Sequence, residues 1–193
     1  FLTAQQLPDL PLPLGAGNAE VWNGSIYHFG GSNNWSGSIV YPRVYKFDGT
    51  NWTHHDTIPD KNLWDVETTL EINGNIYLFN SIGAVFAYTI ATDTWVTKTA
   101  NTATGSWDMS SILFNNEIYI LGWSSQAFYK YSPSTDQWTK LADSPYQVGA
   151  CAFGIINNLI YSVGGNAGGG STAFYKSIIV YDITTNSWTT DEL

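Results

Sequence analysis

The sequence predicts an all-β chain built from four copies of a four-stranded unit, and three observations carry that prediction. An Ile-Tyr pair stands three residues after an asparagine four times, at Ile26-Tyr27, Ile76-Tyr77, Ile118-Tyr119 and Ile160-Tyr161. A tryptophan follows each pair, at Trp52, Trp95, Trp138 and Trp188, and successive isoleucines lie 50, 42 and 42 residues apart. Self-similarity at that period marks propeller blades. Gly, Pro and Asn break the chain about every 8 to 12 residues with no helical periodicity between them, as short-strand architectures require.

Each unit reads in the same order. Asn23-Gly24, Asn73-Gly74, Asn115-Asn116 and Asn157-Asn158 precede the Ile-Tyr pairs, and asparagine and glycine accept the positive φ of a two-residue type I′ hairpin. Strands one and two therefore meet at these turns. The third strand is an aromatic run: Val44-Tyr45-Lys46-Phe47, Val85-Phe86-Ala87-Tyr88, Phe128-Tyr129-Lys130-Tyr131 and Ile179-Val180-Tyr181. A polar turn and the tryptophan opening strand four come next, with the turn after Phe47 expected to be two residues shorter than the others. Apolar residues at neighbouring as well as alternating positions suit sheets packed on both faces. The repeat tryptophans and the Ile-Tyr tyrosines are expected in the core, and the blades are expected over residues 14–57, 63–100, 105–142 and 147–190.

Composition fits one domain with a heavy aromatic load. Hydrophobic residues make up 44% of 193, with 9 Trp, 12 Tyr and 9 Phe, enough to bury a sizeable core. Seven basic against 16 acidic residues give a net charge of −9, which removes the attraction for phosphate backbones and anionic membranes, so no nucleic-acid partner is expected. No apolar run approaches a spanning helix, so no membrane insertion is expected. Residues 1–6 (FLTAQQ) have neither the basic end nor the apolar stretch of an export signal. The single cysteine, Cys151, excludes an intrachain disulfide and says nothing of redox compartment.

These residues resemble the Kelch repeat, whose blade has an Ile-Tyr or Val-Tyr second strand ending in two glycines, an aromatic third strand and a tryptophan after a polar turn. Units one and four match closely, as NGSIYHFGG from Asn23, NNLIYSVGG from Asn157 and YDITTNSW from Tyr181. Units two and three depart at the diglycine, where Asn80-Ser81 and Gly122-Trp123 stand. The resemblance implies a β-propeller of Kelch-type blades, in a family whose rings most often have six. Four blades imply a closed four-bladed ring, part of a larger propeller, or completion by another chain. The segment LPDLP from Leu7 aligns with LADSP from Leu141, which puts residues 1–6 in the place of a preceding blade's last strand. An isolated arc would leave sheet edges and an apolar face in water.

Spacing locates the variable surface. From each tryptophan to the next isoleucine there are 24, 23 and 22 residues, whereas from each isoleucine to its own tryptophan there are 26, 19, 20 and 28. The extra length falls between strands two and three of units one and four, over residues 30–43 and 164–176, on the face that in a Kelch-like blade also carries the blade connections. Insertions confined to one face commonly bind; their alternative reading is tolerated surface length. The Asn166-Ala167-Gly168-Gly169-Gly170 run reads as a flexible linker, since no Lys-Ser/Thr and no helix follow it as in a phosphate loop. Trp64-Asp65 and Trp107-Asp108 in the connections pair an indole that can stack on a sugar with a carboxylate that accepts its hydroxyls. Equally, the tryptophan plugs the inter-blade space and the aspartate caps a turn. Trp35, Tyr41, Arg43, Trp123, Tyr146 and Tyr175 complete the candidate rim.

Signals for catalysis are poor. His28, His54 and His55 have no ligand spacing with each other or with Cys151, so no metal and no cofactor are expected. The copper-binding tyrosine, histidine and cysteine set of the Kelch-like galactose oxidase has no residue-by-residue counterpart. Cys151, in the apolar run Ala150-Cys151-Ala152-Phe153, is expected to be buried and inert. Arg43 is the one arginine, whereas a Kelch enzyme acting on sialic acids is expected to use more positive charge. The leading reading is a non-enzymatic scaffold with a protein partner. The alternatives are a carbohydrate-binding domain, whose scarcity of Lys and Arg favours an extracellular over a cytoplasmic place, and a fragment of a larger Kelch enzyme. Asn23, Asn34 and Asn51 open Asn-X-Ser/Thr sequons; Asn34, in the first insertion, is expected to be accessible.

Overall fold

The computed structural model describes residues 7–33, 40–60, 65–104, 108–122, 125–167 and 173–191. Among these residues the chain forms sixteen strands and no helix. They are β1 (Asn18–Trp22), β2 (Ser25–Phe29), β3 (Arg43–Phe47), β4 (Trp52–Thr57), β5 (Thr68–Ile72), β6 (Asn75–Phe79), β7 (Val85–Thr89), β8 (Thr94–Lys98), β9 (Ser110–Phe114), β10 (Glu117–Leu121), β11 (Phe128–Ser132), β12 (Gln137–Lys140), β13 (Ala152–Ile156), β14 (Leu159–Val163), β15 (Ile178–Asp182) and β16 (Ser187–Asp191). Four antiparallel sheets result, each of four strands in chain order, one for each repeat. Two compact units are distinguished: Phe1–Leu78 with Phe86–Val96, and Phe79–Val85 with Thr97–Leu193.

The asparagine-led turns close the first hairpin of every sheet. Asn23 and Gly24, Asn73 and Gly74, and Asn115 and Asn116 all sit at positive φ, between 47° and 80°, as a type I′ turn demands at both central positions. The fourth turn departs from that expectation, with Asn157 alone at positive φ (57°). The turn between strands three and four is four residues long in every sheet, so the first is not shorter as expected. Its two missing residues come out of the strands instead: β3 ends at Phe47 and β4 begins on Trp52, whereas Trp95, Trp138 and Trp188 are each the second residue of their strand. An irregularity between Val44 and Tyr45 shifts the β3–β4 register, as a bulge does.

β6 and β10 are buried on both faces, whereas the fourth strands of the first three sheets, rich in Thr, Lys and His, stay largely in water. Inter-sheet packing is aromatic. In the first unit Phe29 meets Tyr88 and Trp95 edge-on at 6.0 and 6.4 Å. In the second, Phe79 meets Tyr131 and Trp138 at 5.9 and 6.0 Å, and Phe128 meets Tyr181 and Trp188 at 4.8 and 5.1 Å, an arrangement worth about 0.5–1.5 kcal/mol a pair beyond area burial. The tryptophans differ from expectation. All four are half-buried, not core, because each lies against the last aromatic of its own third strand, at 5.1, 4.5, 4.9 and 5.1 Å for Phe47–Trp52, Tyr88–Trp95, Tyr131–Trp138 and Tyr181–Trp188. The later three also keep their indole N–H on a polar acceptor of the preceding sheet. Of the Ile-Tyr tyrosines, Tyr27, Tyr77 and Tyr119 are core while Tyr161 is half-buried.

Candidate functional site

The two long insertions are built alike. Gly15 pairs with Ser32 and Ser32 with Val40 in the first repeat; Gly149 pairs with Asn166 and Asn166 with Phe174 in the fourth. The three positions are offset by the same 134 residues. In both, the connection entering strand one forms a short ladder with the chain leaving strand two, so insertion and connection share one end of the sheet. The opposite end carries the hairpins, where Ile183 N–H donates to Asn158 O at 3.0 Å across the two turns.

In the fourth repeat the ladder carries an aromatic group. Gly149 and Asn166 exchange backbone hydrogen bonds at 3.0 Å, and Tyr175 N–H donates to Gly165 O at 2.9 Å. These bonds set the Tyr175 ring against Tyr146 of the connection, with centroids 4.7 Å apart, while Tyr146 Oη and Ser177 Oγ are hydrogen-bonded at 2.6 Å. Fixed by the tilted ring contact and by a hydroxyl contact, the pair has little rotamer freedom left to lose. Phe174, next to it, is 80% exposed. Sequence reasoning does not single out Phe174; its signal is the aromatic doublet after the glycine run, at the position that Val40 holds in the first repeat.

The first insertion is more polar. Tyr41 N–H donates to Gly31 O at 3.0 Å, and the exposed Arg43 guanidinium lies 5.9 Å from the Tyr41 ring centroid while Nη1 donates to Tyr45 Oη at 3.2 Å. Trp35, Trp64, Trp107 and Trp123 lie outside the described residues, as does the Asn34 sequon. The two aspartates of the Trp-Asp pairs differ sharply. Asp65 is 2% exposed, and its Oδ2 has no hydrogen-bond partner. Asp108 is exposed, at a φ of 53°, and its carbonyl accepts from Ala150 N at 3.0 Å.

Titratable groups elsewhere are tied into the sheets. Burial lowers the pKa of His28, whose Nδ1 is buried without a partner. His55 Nε2 lies 2.9 Å from Asp93 Oδ1, and His54 packs on Tyr45. Cys151 is half-buried rather than buried and precedes β13 instead of lying within it. Its thiol donates to Ser110 Oγ at 3.1 Å, and that hydroxyl donates back to the Cys151 carbonyl at 2.7 Å. Among the described residues no three His, Cys, Asp or Glu side chains are grouped to hold a metal ion, and no helix is long and apolar enough to cross a membrane.

Comparisons with known proteins agree with this architecture. The Kelch motif matches residues 149–190, the segment that contains the fourth repeat. Kelch-like protein 25 of Xenopus tropicalis is 26% identical over 202 residues, covering 96% of this chain and 33% of its own length, so the chain spans about a third of that relative. The solved structure of YjhT superposes with a TM-score of 0.75 at 20% identity, over 95% of this chain and 67% of that one. One match to the Kelch motif over the fourth repeat, four copies of the sequence repeat and four sheets in matching order converge: the chain is a Kelch-type repeat protein with four four-stranded antiparallel sheets, one to each repeat.

Proposed function

We propose that this chain is a non-enzymatic protein-binding scaffold that engages its partner through the strand-two-to-three insertions and the connections beside them. The exposure of Phe174, next in the chain to the packed Tyr146–Tyr175 pair, carries the reading. An apolar ring held out to water costs the free protein solvation, and a rigid aromatic recovers it on binding with little loss of side-chain entropy. Arg43, over Tyr41 in the first insertion, is of the same anchor type. Trp35, Trp64, Trp107 and Trp123, outside the described residues, join the proposal on their sequence positions alone. The opposite end offers tight polar hairpins such as Thr184-Thr185-Asn186, whose hydrogen bonds are made internally.

A photo-crosslinking residue placed at 174, and separately at 184, in the natural host tests the assignment and captures the partner whatever its identity. A discrete adduct from position 174 and none from 184 is expected. Adducts from 184 alone would transfer the binding role to the hairpin end. A glycan reading draws on Trp107-Asp108, where Asp108 is exposed. Binding on a glycan array that is lost in Asp108→Ala, together with no adduct from 174, would favour it.

A further inference from the structure

We propose that one face of the fourth sheet and one face of the first are two halves of a single contact, by which a second copy of this chain docks head to tail. The observation is a break in the burial of the repeat. Tyr27, Tyr77 and Tyr119, then Phe29, Phe79 and Leu121, then Val44, Val85 and Phe128 are equivalent triplets on one side of the first three sheets, and every member is buried. In the fourth sheet the same positions open: Tyr161 and Ile178 are half-buried, Val163 is 44% exposed, and Ile156 on the same side is exposed as well.

The other side breaks at the other end of the array. Ile76, Ile118 and Ile160 are fully buried, whereas Ile26 is 37% exposed and Val21, opposite it in the β1–β2 register, is more so. Beside Ile26 lie Phe47 and Trp52, counterparts of the Tyr–Trp pairs that receive Phe29, Phe79 or Phe128 within a unit. Each later indole donates to the preceding sheet: Trp95 to Asp56 Oδ2, Trp138 to Thr99 O and Trp188 to Ala142 O, at 2.7, 2.8 and 2.9 Å. Trp52 makes no such bond among the described residues.

The open side of the fourth sheet is thus the side that, in every earlier repeat, lies under the next sheet. The open side of the first sheet is the side that in every later repeat covers its predecessor. Two surfaces already complementary inside the chain are carried at different places on it, which is the condition for a heterologous contact between copies. In the docked pair Val163 and Ile178 of one copy lie against Ile26 and Trp52 of the next, over the buried Phe47. Phe47 and Thr50 stand where the later repeats have a tyrosine and an Asp or Asn, so the hydroxyl-to-carboxyl clamp of the internal seams is missing. The association rests on apolar contact and is weak and reversible.

Sedimentation of the 193-residue chain across a concentration series tests this, with Val163→Asp and Ile26→Asp as variants whose fold is checked by circular dichroism. The wild-type chain should show a weight-average mass that rises with concentration, and each variant alone should be arrested as a monomer. An equimolar mixture of the two should form one-to-one dimers, because the first keeps an intact first-sheet face and the second an intact fourth-sheet face. A wild-type chain that stays monomeric throughout overturns the proposal and leaves these faces to a different occupant. A mixture that stays monomeric overturns it too, since like-with-like contacts are not rescued by mixing. Should Ile26→Asp not fold, Val21→Asp replaces it on the same face.

Discussion

Thr99 is held twice by the sheet that follows it: its N–H donates to Asp136 Oδ1 at 3.0 Å and its carbonyl accepts from Trp138 Nε1 at 2.8 Å. Ala142 is held in the same way by Asn186 Oδ1 and Trp188 Nε1, at 2.8 and 2.9 Å. The tyrosine one residue before the end of the third strand completes the clamp, with Tyr131 and Tyr181 hydroxyls donating to Asp136 and Asn186 at 2.6 and 2.7 Å. In the first unit Tyr88 donates to Asp93 at 2.5 Å, and the side chains of His55 and Asp56 take the place of the backbone groups. The Tyr88 hydroxyl, donating to its carboxylate, holds Asp93 below the usual carboxylate value with help from His55. For Asp136, burial acts upward, but the Tyr131 hydroxyl and Thr99 N–H prevail and lower it. A depressed carboxylate contributes stability that is fully present above its unfolded value and is lost as pH falls through the folded one. The melting temperature is therefore expected to drop below about pH 4, and Asp93→Asn with Asp136→Asn should flatten that drop, as Asn186 already does by being uncharged. An unchanged acid limb in the double variant would show that these clamps do not report on pH. Burial lowers His28 too, so its share of stability is present above about pH 6.5 and lost as pH falls. Removing one clamp hydroxyl, in Tyr131→Phe, is expected to cost about 1–2 kcal/mol by denaturant titration. A change within error would make the clamp decorative.

Gly31 and Gly165 explain why two repeats keep the diglycine and two do not. Both sit at positive φ, 109° and 93°, and a Cβ there would approach Gly15 O to 2.9 Å and Gly149 O to 2.6 Å, the carbonyls of the ladder that starts each long insertion. In the second sheet, Asn80 Oδ1 instead accepts from Ala84 N at 2.8 Å across a short turn. Gly165→Ala is expected to cost roughly 2 kcal/mol or more, from strain together with the clash, and to speed amide exchange at Asn166 and Tyr175. Gly154, within β13, has nothing within 4 Å of its Cβ position, so Gly154→Ala should stay within about 0.5 kcal/mol. Equal costs at the two sites would remove the close-approach argument. Hairpins, strand order and the site of the insertions were legible because they are written locally, in Asn-Gly pairs, diglycines and spacing. The half-burial of the tryptophans was not, because their indole acceptors stand 39 to 46 residues away in another copy of the repeat. A trace was present all the same: tyrosine, then Asp or Asn five residues on, then tryptophan two further, occurs three times and fails in the repeat of Phe47 and Thr50. Of the candidate surface, Tyr146 and Tyr175 were readable as members but not as a packed pair, since their 29-residue separation carries no periodic signal. Phe174 resembled any loop aromatic until the ladder fixed its exposure.

Repeat arrays distribute stability as local terms plus contacts between neighbours, so the burial of each sheet's two faces sets how readily it opens. Ile76 and Ile118 are fully buried, as are Phe79 and Leu121 or nearly so, and the second and third sheets therefore have covered faces on both sides. The first sheet has Ile26 and Val21 in water on one side, and the fourth has Val163 and Ile156 in water on one side. Opening such a sheet exposes less new apolar area, at about 25 cal/mol per Å², and it belongs to the low end of the opening energies within the fold. In dilute solution, hydrogen exchange is expected to be slowest in β6 and β10 and faster in β2 and β14, although all four are second strands paired on both edges. Comparing equivalent strands removes the edge effect that would otherwise confuse the result. If copies dock head to tail, raising the protein concentration covers both open faces and should slow exchange in β2 and β14 while leaving β6 and β10 as they were. Equal protection of all four second strands at low concentration would show that the open faces cost the end sheets nothing. A concentration effect that appeared in β6 and β10 would place the contact between copies somewhere other than on these faces.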